Sequence, residues 1–304
     1  MSSTTSARNA SNSLPCPGWK RPGLRAPIAS IDHAIVGVRD LKQAAIAWRR
    51  LGFKLTPRGR HIGWGTANYC VMFIANYVEL LGIVDPKEFT NHFDRFLAKR
   101  QGLMSVAYGT ADAEACAKAL RASGVAADGP KELSRLLEAG DDGVIPRFRL
   151  VMLPAEATPA LSGFVCEHLT PELLRWPGWL DHANGAVALK GLTTIVDEPR
   201  ALVAPYERLF AGRAITRESG ALHVAIGRAR LSFVTARAFA SLHGAPAPEA
   251  RAPYPAAMTV GVARLADTAQ FFDDYGVPFV RARDGALLID ADHAAGVMLR
   301  FEAA

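Results

Sequence analysis

The sequence predicts an α+β fold built from four βαβββ modules. Three observations support this prediction: a strand-to-helix unit occurs four times, the helices have an apolar face, and two or three strand-like stretches follow each helix. Each unit ends at a glycine, which can adopt the left-handed conformation that closes a helix. The units are Ile31 to Gly52, Leu103 to Gly124, Leu192 to Gly212 and Met258 to Gly276.

The first module shows the pattern most fully. Its helix carries apolar residues at helical intervals, from Leu41 to Leu51, so one face is expected to lie on a sheet. Three strand-length runs follow, separated by turn residues. These predicted strands are Phe53 to Leu55, Ala67 to Ile74 and Tyr77 to Ile83.

The other modules repeat this order. In the second, Leu133 to Gly143 is expected to be a loop or short helix that could act as a lid, and Gly163 to Leu169 is the last strand. In the third and fourth, the last strands are expected at Leu231 to Thr235 and at Gly296 to Phe301.

The length of 304 residues allows two domains of ordinary size. Residues 28–186 would hold modules one and two with the candidate active site, and residues 187–304 would hold modules three and four as a degenerate half.

Residues 1–27 are rich in Ser, Asn, Pro and Arg, and are predicted to be a disordered tail. A transit peptide is the alternative, although the Pro and Gly residues oppose the amphipathic helix it needs.

Composition narrows the class of protein. With 50% hydrophobic and 21% charged residues, the chain is typical of a globular protein, and no apolar run is long enough to span a bilayer. The net charge of +6 comes from dispersed Lys and Arg, which argues against nucleic-acid binding. The four cysteines have no paired spacing and no secretory signal is present, so a cytoplasmic location is expected.

Several stretches then carry a resemblance to known proteins. In module one, residues 31–41 are IDHAIVGVRDL, residues 59–68 are GRHIGWGTAN and residues 77–81 are YVELL. In module two, residues 166–173 are CEHLTPEL, and Asn184-Gly185-Ala186 follow later. This pattern resembles the vicinal oxygen chelate superfamily, and more narrowly its glyoxalase-like domain proteins. The specific resemblance covers roughly residues 30 to 190.

The resemblance implies that the four modules pair into two half-barrels, each shaped like a cup, and that the first cup holds a divalent metal ion: Fe, Mn, Ni, Co or Zn. His33 on the first strand and Glu79 on the last strand of module one would be two ligands. The last strand of module two offers Glu167 and His168, whose side chains alternate, so only one can face the cup. His168 would complete a set of His33, Glu79 and His168; Glu167 would instead give a set with two carboxylates.

The second module departs from the family pattern. Alignment on the helix starts places Ser105 opposite His33, and a serine hydroxyl is a poor metal ligand. This argues against glyoxalase I chemistry, and extradiol dioxygenases distribute their histidines differently. Modules three and four have Gly191 and Ala257 at the matching position, so this half is expected to be structural or to form a homodimer.

Residues near the mouth of the cup complete the predicted site. His61 is the candidate catalytic base, and Trp64 and Asn68 are candidate substrate contacts. Asn184 is a substrate contact by resemblance alone. A tight hairpin whose Trp64 fills the core is the structural alternative, as is a core role for His33.

The sequence therefore supports a metal-dependent enzyme of lyase, isomerase or dioxygenase type that acts on a small oxygen-chelating substrate. A metal-free protein that binds or sequesters a small molecule is the main alternative, and an interaction module without a small ligand is a third. No phosphate loop, GxGxxG, GxSxG or HExxH motif points elsewhere.

Overall fold

The computed structural model describes residues 27–210 and 215–304. The predicted disordered tail, apart from Pro27, lies outside the described residues, and so does Gly212, the predicted end of the third helix. Of the helices described, none is long and apolar enough to cross a membrane.

The first eight strands form one closed barrel. They are β1 (Ser30–Gly37), β2 (Gly59–His61), β3 (Thr66–Met72), β4 (Tyr77–Ile83), β5 (Gly102–Gly109), β6 (Asp128–Leu137), β7 (Arg147–Met152) and β8 (Ser162–His168). Their order around the barrel is β1-β4-β3-β2-β6-β7-β8-β5. Each module contributes four neighbouring strands, so the predicted pairing of modules one and two is confirmed, and the pair closes into a barrel.

Two seams join the modules. At one seam β1 runs antiparallel to β5, with Ile35 opposite Ser105. At the other, β2 pairs with β6 over three residues, and His61 lies opposite Arg135. Within module one, β1 is parallel to β4 and Ile35 pairs with Glu79. First and last strands of a module therefore lie side by side, as the resemblance implied.

Six α-helices are described. They are α1 (Leu41–Arg50), α2 (Phe93–Lys99), α3 (Ala113–Ala122), α4 (Val203–Leu209), α5 (Ala236–His243) and α6 (Leu265–Asp274). Four of them (α1, α3, α4 and α6) lie within the four predicted strand-to-helix units. Asp40 caps α1 by accepting a hydrogen bond from the Gln43 amide. Gly52 has φ +86° just after the C-cap, which is the left-handed conformation expected from the sequence. Trp48 is fully buried on the inner face of α1.

Modules three and four form a second, open sheet. Its strands are β9 (Ala186–Ile195), β10 (Ile215–Glu218), β11 (Ala221–Ile226), β12 (Ala229–Val234), β13 (Tyr254–Val262), β14 (Val280–Arg281), β15 (Leu287–Ile289) and β16 (Met298–Ala303). Their order is β10-β11-β12-β9-β13-β16-β15-β14. The parallel pairs β9–β12 and β13–β16 repeat the β1–β4 pairing, so the four-module prediction holds.

The two sheets share one hydrophobic core. Phe53 from the first half stacks on Phe301 from the second, with ring centroids 6.0 Å apart. The hydroxyl of Tyr206 donates to the carbonyl of Pro159 at 3.1 Å. These contacts hold the open sheet against the outside of the barrel.

Two expectations from the sequence are wrong. Phe53 to Leu55 do not form a strand, because the Lys54 amide donates to the side chain of His182 instead of to a neighbouring strand. Leu133 to Leu137, the first part of the segment predicted to be a loop or short helix, instead form the end of β6. Pairing with β2 and β7 provides the hydrogen bonds that local sequence could not indicate.

Candidate active site

A cavity of about 260 Å³ lies inside the barrel and takes side chains from both modules. Its polar lining includes His33, His61, Glu79, Ser105 and Arg135. Aromatic side chains complete the walls and the mouth; they are Trp64, Tyr77, Phe93, Phe96, Phe148 and Phe164. The volume, close to the lower end for small-molecule pockets, suits a compact ligand.

The centre of the cavity is a carboxylate-imidazole-carboxylate arrangement. His33 Nδ1 donates to Asp32 Oδ2 at 2.7 Å, and His33 Nε2 lies 3.4 Å from Glu79 Oε2. All three residues are buried, with 4–6% of their surface exposed. The structure therefore brings together two of the three predicted metal ligands, His33 and Glu79.

A β-bulge places Asp32 beside His33. Alternation along a regular strand would turn these two neighbours to opposite faces of the sheet. However, Ile31 pairs with Tyr108 and His33 pairs with the adjacent Ala107, so Asp32 has no partner on β5. Such an extra residue re-aims side chains locally. Sequence reasoning missed Asp32 as a functional residue because the bulge leaves no local sequence signal.

Glu79 is fixed through its second oxygen. Asn68 Nδ2 donates a short hydrogen bond to Glu79 Oε1, and His61 Nε2 lies 3.8 Å from the same atom. Asn68 fits here because β2 has a glycine opposite: a Cβ on Gly59 would lie 2.4 Å from Asn68 Oδ1. Asn68, predicted to contact substrate, is thus fully buried and positions the carboxylate.

The charges of this group depend on one another. Burial alone would raise the pKa values of Asp32 and Glu79, but neighbouring histidines outweigh it. His168 and His33 hold the pKa of Asp32 well below its usual range, and His33 helps to lower that of Glu79 to about 2. Burial would lower the pKa of His33, but hydrogen bonding to Asp32 and Glu79 raises it.

His61 has the opposite shift. Burial lowers its pKa to about 4, and the charges of Arg135 and His33 add to this, while Glu79 opposes it. His61 is therefore a neutral imidazole near pH 7. Its Nδ1 lies 2.9 Å from the hydroxyl of Thr66, which leaves Nε2 facing Glu79 and the cavity.

The strand registers identify what module two contributes. Ile35 pairs with Glu79 in the first module, and Ala107 pairs with Phe164 in the second. Ser105 therefore matches His33, as the sequence predicted, and Phe164 matches Glu79. Both Ser105 and Phe164 line the cavity, so the second module provides a hydroxyl and a phenyl ring where the first provides an imidazole and a carboxylate.

His168 faces the barrel interior but contacts Asp32. Its Nε2 donates to Asp32 Oδ2 at 3.0 Å, and its ring packs against Phe148 and Tyr77. Glu167, the alternative ligand, points away and accepts a hydrogen bond from the Ala113 amide at the start of α3. The structure does not bring His168 to Glu79; Asp32 and His33 lie between them.

A second group could also hold an ion. Among the residues that the structure describes, Asp32, Cys166 and His168 are the three whose possible ligand atoms lie within 4.8 Å of one another. All three line another cavity, of about 490 Å³, at the end of the barrel where β1 begins and β8 ends. Cys166 lines both cavities, so it marks the boundary between them.

Two predicted substrate contacts lie in different places. Trp64 is at the cavity mouth, where its ring packs edge-on against Phe89 with centroids 4.9 Å apart. The structure does not bring Asn184 to the cavity. Its side chain donates to the Leu51 carbonyl and accepts from the Ala186 amide, which ties the start of β9 to the end of α1.

Arg135 is a cavity residue that the sequence did not reveal. It is 2% exposed and lies on β6, opposite His61. It belonged to the segment predicted to be a loop or short helix, so no local pattern placed it inside the barrel. Only the pairing of β6 with β2, across the two modules, brings it to the site.

A barrel of two βαβββ modules around a buried histidine and glutamate defines this protein as one of the vicinal oxygen chelate fold. The glyoxalase-like domain model matches residues 31–210, more than half of the chain. The chain therefore belongs to the glyoxalase-like domain family. No curated protein matches it.

Solved structures show the same fold at low sequence identity. A hypothetical protein from Staphylococcus aureus is 15% identical with a TM-score of 0.68, and the match covers 91% of this chain and 100% of that one. A mutant of 4-hydroxymandelate synthase from Streptomyces coelicolor is 14% identical with a TM-score of 0.56, covering 90% and 92%. A fusion of a xylose isomerase-like TIM barrel and 4-hydroxyphenylpyruvate dioxygenase is 15% identical with a TM-score of 0.54, covering 95% and 51%.

Proposed function

We propose that this protein is a divalent-metal-dependent enzyme that acts on a small, oxygen-chelating substrate inside the barrel. The observation that carries the proposal is the contact between His33 Nε2 and Glu79 Oε2. Because His33 Nδ1 donates to ionised Asp32, Nε2 of a neutral His33 would present a lone pair to a carboxylate oxygen 3.4 Å away. Two such acceptors need a cation between them, either a proton or a metal ion.

The donor set fits a metal ion. Bonds of about 2.1 Å from one ion to an imidazole nitrogen and a carboxylate oxygen place those two atoms roughly 3 Å apart, close to the separation found here. Asp32 would fix the tautomer and raise the basicity of His33, as outer carboxylates do for metal-bound histidines. His33 and Glu79 would hold the ion, with His61 next to the same carboxylate and Ser105 on β5, the strand paired with β1.

A bound divalent ion would supply Lewis-acid polarisation of a substrate carbonyl or enolate oxygen. The protein residues would do the remaining work. His61 is neutral, so its Nε2 can accept a proton, while Thr66 holds the ring from Nδ1. Trp64 at the mouth provides a flat apolar surface for the substrate. A neutral base in the cavity favours a reaction that transfers a proton, as lyases and isomerases do. Dioxygenation is the other reaction class that a metal ion in this cavity would support.

We assign His168 to the support of Asp32 and not to the ion. Its Nε2 donates a hydrogen bond to Asp32 Oδ2, the same oxygen that accepts from His33. The ligand set proposed from the geometry therefore contains His33 and Glu79, and differs from the set implied by the resemblance at this one residue.

Elemental analysis of protein purified without chelator or a metal-binding tag tests the proposal. We expect close to one equivalent of Fe, Mn, Ni, Co or Zn, and its loss in His33→Ala and Glu79→Ala. His223→Ala is a matched control, because His223 is a buried histidine of the second sheet that contacts Ser232. Wild-type protein that takes up none of these ions, even after loading, would refute the enzyme proposal.

Two further variants locate the ion. If it lies between His33 and Glu79, His168→Ala and Cys166→Ser keep most of the metal. If the ion instead lies at Asp32, Cys166 and His168, both variants lose it while Glu79→Ala retains it. Iron in the wild-type protein would favour the dioxygenase class over the lyase and isomerase classes.

A metal-free small-molecule binding protein is the second candidate function. One observation favours it: with a proton on Nε2, His33 is balanced by Asp32 and Glu79 on both sides and needs no ion. The aromatic walls would then bind a planar ligand. Ligand-induced stabilisation that chelator treatment does not change would support this candidate.

A further inference from the structure

We propose that the ligand of the barrel cavity is a small carboxylic acid with an apolar body, and that Arg135 binds its carboxylate. The inference deepens the proposed function by naming the substrate class. In a metal-free binding protein the same contact would depend on the unpaired donors of Arg135 alone, because protonated His33 and Arg135 then balance Asp32 and Glu79.

Arg135 has unused hydrogen-bonding capacity. Its Nη1 donates to Cys70 Sγ at 3.4 Å, whereas its Nε and Nη2 have no partner and are shielded from solvent. Its guanidinium carbon lies 5.6 Å from the centre of the Phe148 ring, which keeps the side chain along the cavity wall. An unpaired buried cation is costly, so a structural role alone does not account for this side chain.

Among the described residues, no carboxylate forms an ion pair or a hydrogen bond with the Arg135 guanidinium. The contacts of Glu79 are to His33, His61 and Asn68, and those of Asp32 are to His33 and His168. The charges of Glu79 and Arg135 favour one another only at longer range. Burial raises the pKa of Cys70 to about 11, so its contact to Arg135 is through a neutral thiol. The guanidinium therefore stays charged without a carboxylate in direct contact with it.

The free edge of Arg135 has the geometry that carboxylates prefer. Nε and Nη2 lie on one side of the planar guanidinium and can donate two parallel hydrogen bonds to one carboxylate. If a divalent ion is bound, Asp32 and Glu79 balance its charge and Arg135 remains as the excess positive charge. A monoanion is the complement, and the aromatic walls fit an apolar body within about 260 Å³.

Benzoate and benzamide are probes that share shape and differ in charge. Titration calorimetry would compare them on wild-type protein, in metal-loaded and chelator-treated forms. We expect benzoate to bind about tenfold to a hundredfold more tightly than benzamide, the size of effect for charge-assisted hydrogen bonds. Equal binding of the two probes to wild-type protein, or binding of neither, would overturn the inference.

Two variants assign the preference to Arg135. Arg135→Met keeps the length of the side chain and removes the charge, so it should bind both probes equally. Arg58→Met is the matched control; it removes an exposed arginine that pairs with Glu138 outside the cavity, and should keep the preference. A preference that persists in folded Arg135→Met contradicts the assignment, and Arg135→Lys, which keeps the charge without the fork, should retain only part of it.

The two proposals fail separately. If elemental analysis finds no metal but chelator-treated protein still prefers benzoate through Arg135, the enzyme proposal falls and the acid-binding inference stands. If metal is bound at His33 and Glu79 but the protein does not prefer benzoate to benzamide, the enzyme proposal stands and the acid-binding inference falls.

Discussion

Asp32 and His33 are neighbours on one strand, yet the Oδ2 atom of Asp32 accepts a hydrogen bond from His33 Nδ1 at 2.7 Å. The same oxygen accepts a second hydrogen bond from His168 at 3.0 Å. A single bulge residue thus sets the tautomer of His33 and turns its Nε2 toward Glu79. The orientation of the proposed metal ligand depends on a residue that does not face the ion.

Asp32→Asn should weaken metal binding without removing a ligand. The amide is neutral and supports the His33 imidazole less well, so we expect affinity for the ion to fall by about 10- to 100-fold. Competition with a chromophoric chelator measures this. Asp197→Asn, at an exposed position, is the control and should leave the affinity unchanged. An unaltered affinity in Asp32→Asn would mean that the ion does not bind through His33.

His61 should make the metal-free protein less stable as the pH falls. Its pKa is about 4 in the folded chain and 6.5 ordinarily, so below pH 6.5 the unfolded chain takes up a proton that the folded chain does not. Between pH 7 and pH 4.5 this should lower the free energy of unfolding by about 2 kcal/mol.

Urea unfolding of wild-type protein and His61→Gln at the two pH values isolates this contribution, because the other titrating groups are common to both. The variant should lose less stability on acidification. Equal losses in the two proteins would show that His61 titrates normally in the folded state.

Gly59→Ala should disturb the site by steric pressure alone. Its Cβ would lie 2.4 Å from Asn68 Oδ1, which must move and release Glu79. We expect the free energy of unfolding to fall by about 1–3 kcal/mol, as for other overpacked interiors. Gly178→Ala is a suitable comparison, since a Cβ there meets no atom within 4 Å. If denaturant midpoints of the two variants coincide, the close packing of Gly59 on Asn68 is not required.

Arg135→Met should leave the ligand-free protein as stable as wild type, or more stable. Replacing an unpaired buried charge with an apolar side chain of similar length removes a desolvation cost. Urea unfolding without ligand measures the change. A loss of more than about 2 kcal/mol would indicate that Arg135 is a structural residue held by Cys70 and Phe148.

Local signals predicted the repeated modules well. Helix ends at Gly52, Gly124 and Gly276 all have positive φ, and the last strand of module one was predicted with its observed bounds, Tyr77–Ile83. The helix ends and these strand bounds depend on spacing along the chain. That the side chains of His33 and Glu79 meet was predicted from the family resemblance, which places the first and last strands of a module side by side.

Contacts between distant segments were not predictable. Lys54 bonds to His182, which lies 128 residues away, and this replaces the strand expected after α1. Arg135 enters the site only because β6 pairs with β2, and Asp32 only because β1 has a bulge. In each case the determining partner belongs to another element, and the residue type alone does not identify it.

The short ladder between β2 and β6 has a consequence for motion. Three residue pairs and two flanking backbone hydrogen bonds, Ile62 to Ser134 and Glu138 to Arg58, close this side of the barrel, and one of the pairs joins His61 to Arg135. Short, few-bonded segments are where native proteins open most readily. Transient parting of this seam would separate the proposed base from the proposed acid-binding residue while both modules stay folded, and would give a ligand a side entrance. Slow amide exchange at these positions only when ligand is bound would be its signature.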